Sequence, residues 1–315
     1  MKKFLNRKII LLALIAVFLG VYIFQSVSSR KNNIETIENE NIDTILISYN
    51  DGEVEKKIRL AKENELYFAG EEKFPAEVSG AARIFDSVTN IKLLGKLASG
   101  TSDAERYGLN ENARITVSAL NGSEEVLKFY VGKDNSTNQQ CYVNIEGKDG
   151  IYLAQNGMHA MMSVNVNDLR SKEIYRLDVD SISKITVKNQ NESYELTKLA
   201  AGENEPKWSL NVLEGNALEN PVDEKTAGTF ATRVSSLTAM EFLPEDYSVE
   251  GKEPFVEVSV KSGSKNVKVL FYSADNEDGE AVAVCSETPT KFTVDRALAE
   301  TFGKSLGDFY LADNS

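Results

Sequence analysis

A pattern that recurs after about 140 residues most strongly constrains how this 315-residue chain can fold. The stretch Ile42–Ile47 recurs as Ile182–Val187, and Tyr107–Gly108–Leu109 recurs as Tyr247–Ser248–Val249. Solenoid repeats have periods of about 20–50 residues, so this unit is too long for one. The pattern predicts two tandem homologous domains, at residues 42–177 and 178–315.

Each repeat reads as strands, a helix, further strands and a short closing helix. Ile115, Val117 and Ala119 alternate with more polar residues, which is typical of a strand with one buried face. Each predicted hairpin turns at a pair of residues that ends in glycine, Asn121–Gly122 or Ser262–Gly263. The hairpin strands are 114–120 with 127–131 and 255–261 with 267–271, and the long helices are 79–94 and 224–237. The predicted fold class is therefore α+β, with a mostly antiparallel sheet packed with one or two helices in each domain.

The N-terminal thirty residues predict a membrane anchor. Four basic residues lie within 2–8, and residues 9–29 contain no charge. Twenty-one helical residues span about 31 Å, the thickness of a bilayer core. The basic leader favours a cytoplasmic N-terminus, which places everything after about residue 30 outside the cytoplasm. A cleaved signal peptide is the alternative, since Ser26 and Ser28 have the small side chains of a cleavage site, although signal apolar regions are shorter. Residues 31–41 are polar and acidic and are predicted to form a tether.

The remaining chain is acidic, with 48 acidic and 30 basic residues after residue 30. Such a charge repels phosphate backbones, so we expect no nucleic-acid partner. Two cysteines, Cys141 and Cys285, do not make a disulfide framework. Two free thiols are favoured over a single bridge between them.

Residue types that could carry catalysis or bind metal are sparse. His159 is the only histidine, and its neighbours Met158, Met161 and Met162 favour a packing role over a catalytic or metal-binding one. The acidic run 275–280 has its glycine fifth, whereas calcium loops have it sixth, so it favours a turn.

Adjacent carboxylates and glycine–lysine pairs also lack the context that catalysis requires. Glu71–Glu72, Glu124–Glu125 and Asp223–Glu224 favour solvated surface, because adjacency alone does not separate two pKa values. Gly95–Lys96 and Gly132–Lys133 lack the rest of a phosphate-binding loop. We therefore predict no enzyme activity, no catalytic, cofactor-binding or metal-binding residues, and no cofactor.

Two features could serve recognition. A set of tyrosines recurs around the repeat and could line a binding surface or cap the sheet cores, with capping favoured. An apolar edge in Val256–Val260 or Val282–Val284 could accept a partner strand. The tyrosines are Tyr107, Tyr142, Tyr152, Tyr175, Tyr247 and Tyr310.

Both repeats resemble the bacterial DUF4340 family. In the first repeat the resemblance rests on Tyr107–Gly108–Leu109, Val131–Gly132, Tyr142–Val143 and the closing segment 168–172. In the second it rests on Trp208 and 221–223, while Ser248 replaces the glycine. The resemblance implies a membrane-anchored protein with two tandem copies, associated with ABC-type transport systems of the gliding-motility kind. It implies no catalytic residue.

These patterns together lead to one hypothesis and one alternative. The chain is predicted to be a single-pass, non-catalytic accessory or scaffold subunit outside the cytoplasm, with protein partners in an ABC-type transport complex. Residues 9–29 would hold it in the cytoplasmic membrane. The alternative is an extracytoplasmic module that binds a small molecule or envelope polymer in the cleft between the two domains.

Overall fold

The structure is a computed structural model, and its described part begins in the N-terminal segment. Residues 15 and 17–21 are helical, while the rest of the predicted anchor, 9–29, lies outside the described residues. Within the described ranges, no helix combines the length and apolar character that a bilayer crossing requires. The described residues are 15, 17–21, 34–52, 54–199, 208–215, 221–275 and 279–311.

Contacts divide the chain into two compact units, Met1–Arg170 and Ser171–Ser315. The sequence had placed the division after residue 177, with Tyr175 closing the first copy. In the structure Glu173–Arg176 pairs with Ser236–Thr238, and the Tyr175 hydroxyl donates to the Val234 carbonyl at 3.1 Å. These residues therefore open the second unit.

The first unit is one ten-stranded antiparallel sheet with helices over its buried face. Its strand order is β1-β6-β10-β9-β8-β7-β2-β3-β4-β5. A 3-10 turn covers Ala104–Tyr107. The strands are β1 (Glu35–Glu38), β2 (Thr44–Asp51), β3 (Val54–Glu63), β4 (Leu66–Ala69), β5 (Phe74–Pro75), β6 (Asn90–Ala98), β7 (Ile115–Asn121), β8 (Glu124–Asp134), β9 (Gln140–Ile145) and β10 (Ile151–Gln155), and the helices are α1 (Val78–Thr89), α2 (Met158–Met162) and α3 (Val166–Leu169).

The second unit has a seven-stranded antiparallel sheet in the order β14-β13-β12-β16-β17-β18-β19, and a separate pair, β11-β15. Two 3-10 turns cover Val179–Ser181 and Leu306–Phe309. The strands are β11 (Glu173–Arg176), β12 (Ile182–Asn189), β13 (Ser193–Lys198), β14 (Trp208–Glu214), β15 (Ser236–Thr238), β16 (Val256–Ser262), β17 (Lys265–Ser273), β18 (Glu280–Cys285) and β19 (Thr288–Asp295), and the helices are α4 (Glu224–Val234) and α5 (Arg296–Phe302).

The two units share their element order and their strand neighbours. In the first, β6 lies between β1 and β10. In the second, β15 pairs with β11, and the chain just after it bonds to β19 through Met240 N–H to the Thr293 carbonyl and Thr293 N–H to the Glu241 carbonyl. The mostly antiparallel α+β class and both predicted hairpins are confirmed.

The long helices end earlier than the sequence predicts. α1 ends at Thr89, and the predicted helical residues Ile91 and Leu93 are instead buried in β6, with the exposed Lys92 between them. The apolar pattern of this segment is ambiguous. Val88 and Ile91 are three residues apart, which fits a helix, while Ile91 and Leu93 are two residues apart, which fits a strand. Likewise α4 ends at Val234 and β15 follows.

Part of the predicted tether belongs to the sheet. Glu35–Glu38 forms β1, and Ile37 lies opposite Ile91 of β6. Ile37 packs against the first unit's core. Two isoleucines, Ile34 and Ile37, within a polar, acidic stretch were too weak a signal to predict a strand.

The start of each long helix is tied to the closing segment of its unit. Glu77 N–H donates to the Leu169 carbonyl at 2.8 Å, and Asp223 N–H donates to the Phe309 carbonyl at 2.7 Å. Leu169 therefore corresponds to Phe309. In sequence, Asp168–Leu169–Arg170 looks most like Ser305–Leu306–Gly307, but the hydrogen bonds set a register displaced by three residues.

The predicted apolar edges are wrong. Val256–Val260 lies in β16, which is bonded to β12 and β17, and Val282–Val284 lies in β18, which is bonded to β17 and β19. Val282–Val284 is continuously apolar, as central strands often are, whereas Val256–Val260 alternates with Glu257 and Ser259 and buries its valines.

Candidate functional site

A turn that packs on β8 brings the motif residues of the first unit together. The 3-10 turn ends at Tyr107, and Gly108 follows in the left-handed conformation with φ 69°. A Cβ on Gly108 would lie 2.9 Å from the Lys133 backbone nitrogen, so both its conformation and its space require glycine. Leu109 follows and is buried beside Gly132 of β8.

Gly132 on β8 supplies the other half of this contact. A Cβ there would lie 2.2 Å from the Tyr107 carbonyl oxygen and 3.0 Å from the Leu109 side chain. Only a residue without a side chain lets the turn lie this close to the strand. The two glycines thus fix where Tyr107 stands.

Two groups of aromatic and arginine side chains lie on the side of the sheet away from the core: Arg106 with Tyr107 and Tyr142, and Arg114 with Tyr130. The rings of Tyr107 and Tyr142 are 4.8 Å apart. Tyr130 precedes the buried Val131, which pairs with Val143, so Tyr130 and Tyr142 face the same side. The guanidinium carbon of Arg114 lies 4.1 Å from the Tyr130 ring centre, and that of Arg106 lies 5.9 Å from the Tyr107 ring centre.

We call this the basic tyrosine surface. Arg106 and Lys133 are exposed, and the remaining four side chains are half-buried. Many cations of the described residues lie in ion pairs, but Arg106, Arg114 and Lys133 lie in none within that part of the chain. Its members are Arg106, Tyr107, Arg114, Tyr130, Lys133 and Tyr142.

The equivalent tyrosine of the second unit is locally bonded. The Tyr247 hydroxyl donates to the Asp275 carboxylate at 3.3 Å, and the Lys252 ammonium lies 2.6 Å from the same carboxylate. The ammonium of Lys252 holds the pKa of Asp275 below its usual value. Asp275 was also the first residue of the calcium-like run, and 276–278 lie outside the described residues.

The other members of the surface have no counterpart in the second unit. Phe271 pairs with Ala283 as Val131 pairs with Val143, so the residues before them correspond. Leu270 then stands at the Tyr130 position and Val282 at the Tyr142 position.

His159 and its nearest carboxylate are arranged to hold α2. The Asp134 carboxylate accepts the backbone N–H groups of His159 at 3.2 Å and Ala160 at 3.3 Å. The imidazole Nδ1 lies 3.4 Å from the Ser163 hydroxyl, which donates to the His159 carbonyl. Asp134 therefore bonds the helix start and not the imidazole, in contrast to a catalytic triad.

The carboxylates and thiols singled out by sequence are mostly structural. Asp223 caps α4 through Lys225 N–H at 3.1 Å, and Glu224 accepts the Trp208 N–H at 3.0 Å. Cys141 and Cys285 are free thiols, each buried in the core of its own unit, and burial raises their pKa to about 12 and about 11. Among the described residues, no group of three or more His, Cys, Asp or Glu side chains could hold a metal ion.

Two of the recurring tyrosines cap the interior. The Tyr152 hydroxyl donates to the Asp149 carbonyl at 2.9 Å, as that of Tyr175 does to Val234. Tyr310 is half-buried against the second core. Only Tyr107 and Tyr142 of the predicted set join the basic tyrosine surface; Tyr130, Arg106, Arg114 and Lys133 were missed, because nothing in the sequence signals their convergence.

Comparison with known proteins gives one match. A family model described as a domain of unknown function, DUF4340, matches residues 67–255, which include the whole basic tyrosine surface. No curated protein and no solved structure matches the chain.

Proposed function

From the premise that this chain belongs to the DUF4340 family, we propose that it is a non-catalytic accessory or scaffold subunit. Residues 9–29 anchor it in the cytoplasmic membrane, and both units stand outside the cytoplasm. The assembly it serves is an ABC-type transporter of the gliding-motility kind. The shared element order and strand neighbours of the two units support the proposal that they are tandem copies of one domain.

The basic tyrosine surface is the observation that carries a recognition role. Tyrosine and arginine are enriched at the energetic centres of protein interfaces, because they bury large areas with few freely rotating bonds. Tyr107 and Tyr142 already hold each other at 4.8 Å, so little further ordering is needed on binding. This favours a protein partner.

The charge of the surface defines the partner further. Arg106, Arg114 and Lys133 have no ion-pair partner among the described residues, so a carboxylate could bind them without breaking an existing pair. Arginine can bind a carboxylate through two parallel hydrogen bonds. The partner segment is therefore acidic, and it contacts the first unit, because Leu270 and Val282 replace the tyrosines in the second.

Copurification from solubilised membranes tests this proposal. The full-length chain should retain a transport component, and the Arg106→Glu/Arg114→Glu variant should recover at least about tenfold less of it, because each reversal turns attraction into repulsion. Lys265→Glu is the matched control, since Lys265 is exposed, lies outside the ion pairs of the described residues and belongs to the second unit. Thiol protection at Cys141 checks that the variant is folded.

The two possible failures have different meanings. If no transport component accompanies the wild-type chain, the accessory role is wrong. If the component remains bound to the double variant, the role stands but the surface is misassigned.

Anchoring has a separate test. N-terminal sequencing of the mature protein should return the intact start, and protease added outside spheroplasts should digest residues after about 30. A new N-terminus near Ser26 or Ser28 would mean that the segment is a cleaved signal.

A further inference from the structure

A groove lined by side-chain amides lies in the first unit, where the ends of β9 and β10 meet α2. Its volume is about 700 Å³, within the range typical of ligand sites. No charged residue is among its described lining residues, although charged residues make up 26% of the chain. Its five amide residues are Asn138, Gln139, Gln140, Gln155 and Asn156.

Most of these amide side chains make no hydrogen bond to the residues that the structure describes. Gln140 Oε1 accepts from the Asn135 amide at 2.9 Å. The other four side chains make no hydrogen bond within the described part of the chain. Each side-chain amide carries two donor hydrogens and an acceptor oxygen, so the groove offers several hydrogen-bond donors and several acceptors without any charge.

The backbone that carries the amides is firmly set. Gln155 lies opposite Gln140 across the β9–β10 pair, and Asn156 N–H donates to the Gln139 carbonyl at 3.0 Å. A Cβ on Gly157 would lie 2.3 Å from the Asn138 carbonyl oxygen, so the two loops touch. The backbone positions of the amides are thus fixed, and four of the five side chains are exposed to the groove or to solvent.

We propose that this amide groove binds a neutral, hydroxyl-rich ligand of the saccharide class. A hydroxyl group donates and accepts through one oxygen, which matches an amide at each position. A charged ligand would enter without a countercharge among the described lining residues, which costs desolvation energy. Leu94 and Met161 are half-buried in the lining and give the carbon–hydrogen face of a sugar ring an apolar contact.

This inference does not depend on the accessory role, because the groove and the basic tyrosine surface use different residues. An extended peptide is the competing ligand, since amides also pair with a backbone. The carbonyl and N–H groups of a peptide lie on separate atoms. An extended peptide therefore pairs better with the exposed edge of a β-sheet than with a groove of side-chain amides.

Titration calorimetry on the purified full-length chain tests the proposal. Chitotriose and maltotriose are the saccharide probes, and an acetylated, amidated trialanine is the peptide probe. At least one saccharide should bind with a dissociation constant below about 1 mM. The Gln139→Ala/Gln155→Ala variant should weaken binding at least about tenfold, because two amides are lost.

Gln190→Ala is the matched control, since Gln190 is an exposed glutamine of the second unit; it should leave the affinity unchanged. Thermal unfolding of the double variant confirms that the fold persists. The proposal is overturned if neither saccharide binds at about 10 mM, if the double variant binds as the wild type does, or if only the trialanine binds.

Discussion

Replacing Gly132 by alanine probes the contact that builds the basic tyrosine surface. The added Cβ would lie 2.2 Å from the Tyr107 carbonyl oxygen, far inside van der Waals contact, and the blocking atom is backbone that cannot rotate away. The 3-10 turn must therefore move off β8. Gly132 does not have a positive φ, so alanine meets no conformational strain there and the effect is steric.

The cost can be worked from its components. Overpacking costs about 1–3 kcal/mol. Loss of the Tyr107–Tyr142 ring contact adds about 0.5–1.5 kcal/mol. Alanine also lowers the conformational entropy of the unfolded chain, which offsets about 0.4–1 kcal/mol of this loss of stability. The central values of these ranges give a net loss of about 2 kcal/mol of unfolding free energy in the first unit.

Thiol labelling followed by mass spectrometry measures the unfolding free energy of each unit separately, because one buried cysteine lies in each core. Labelling of Cys141 should accelerate about fivefold to a hundredfold when opening is in rapid equilibrium. Cys285 serves as the internal control and should be unaffected. Gly95→Ala is the matched substitution, since Gly95 also lies in a strand without positive φ but has open space around its Cβ position. Equal effects of Gly132→Ala and Gly95→Ala, or unchanged Cys141 labelling, would refute the steric reasoning.

Three further expectations follow from the described contacts. Burial raises the pKa of Cys141 to about 12 and of Cys285 to about 11, so their contribution to the unfolding free energy is complete below about pH 9 and is lost as the pH rises through these values; the pH dependence of unfolding between 9 and 12 should be flatter in Cys141→Val. Glu224→Ala removes the acceptor of the Trp208 N–H and should cost about 1 kcal/mol, measured by urea unfolding with fluorescence of the single tryptophan, whereas Lys225→Ala on the same turn should not. The cap bonds from Ser79 and Gly80 lower the pKa of Glu77, so its stabilisation is present above about pH 4.5 and lost as the pH falls through the lowered value; Glu77→Gln should destabilise the first unit at pH 7 and match the wild type near pH 2, and a constant difference would contradict this.

Local patterns were sufficient where one short segment determines one element. The alternation of Ile115, Val117 and Ala119 and the glycine turn after it predicted the β7–β8 hairpin, because both signals lie within a dozen residues. The same patterns failed where two periods overlap. Ile91 fits a helix with Val88 and a strand with Leu93, and only the neighbours β1 and β10 make that stretch a strand.

Long-range packing decided the candidate sites. Val256–Val260 reads as an exposed apolar edge until β12 and β17 are placed on both sides of it. The sequence marks Tyr107 and Tyr142 as recurrent, but it gives no sign that Tyr130 or Arg114 stands beside them. Nothing in the sequence marks the amides of the groove, since each is an ordinary polar loop or strand residue until β9, β10 and α2 meet.

The amino-acid sequence by itself determined the ~140-residue repetition, the α+β class and the acidic character of this protein. Repetition, alternation and charge are all given by the order and type of residues along the chain. The tertiary structure alone decided that Glu173–Arg176 opens the second unit, that Gly132 lets the Tyr107 turn lie against β8, and that Arg114 lies over the ring of Tyr130. Each of these depends on atoms that are distant along the chain and are brought within a few ångströms by the sheet. The order of residues along the chain does not show which atoms come this close.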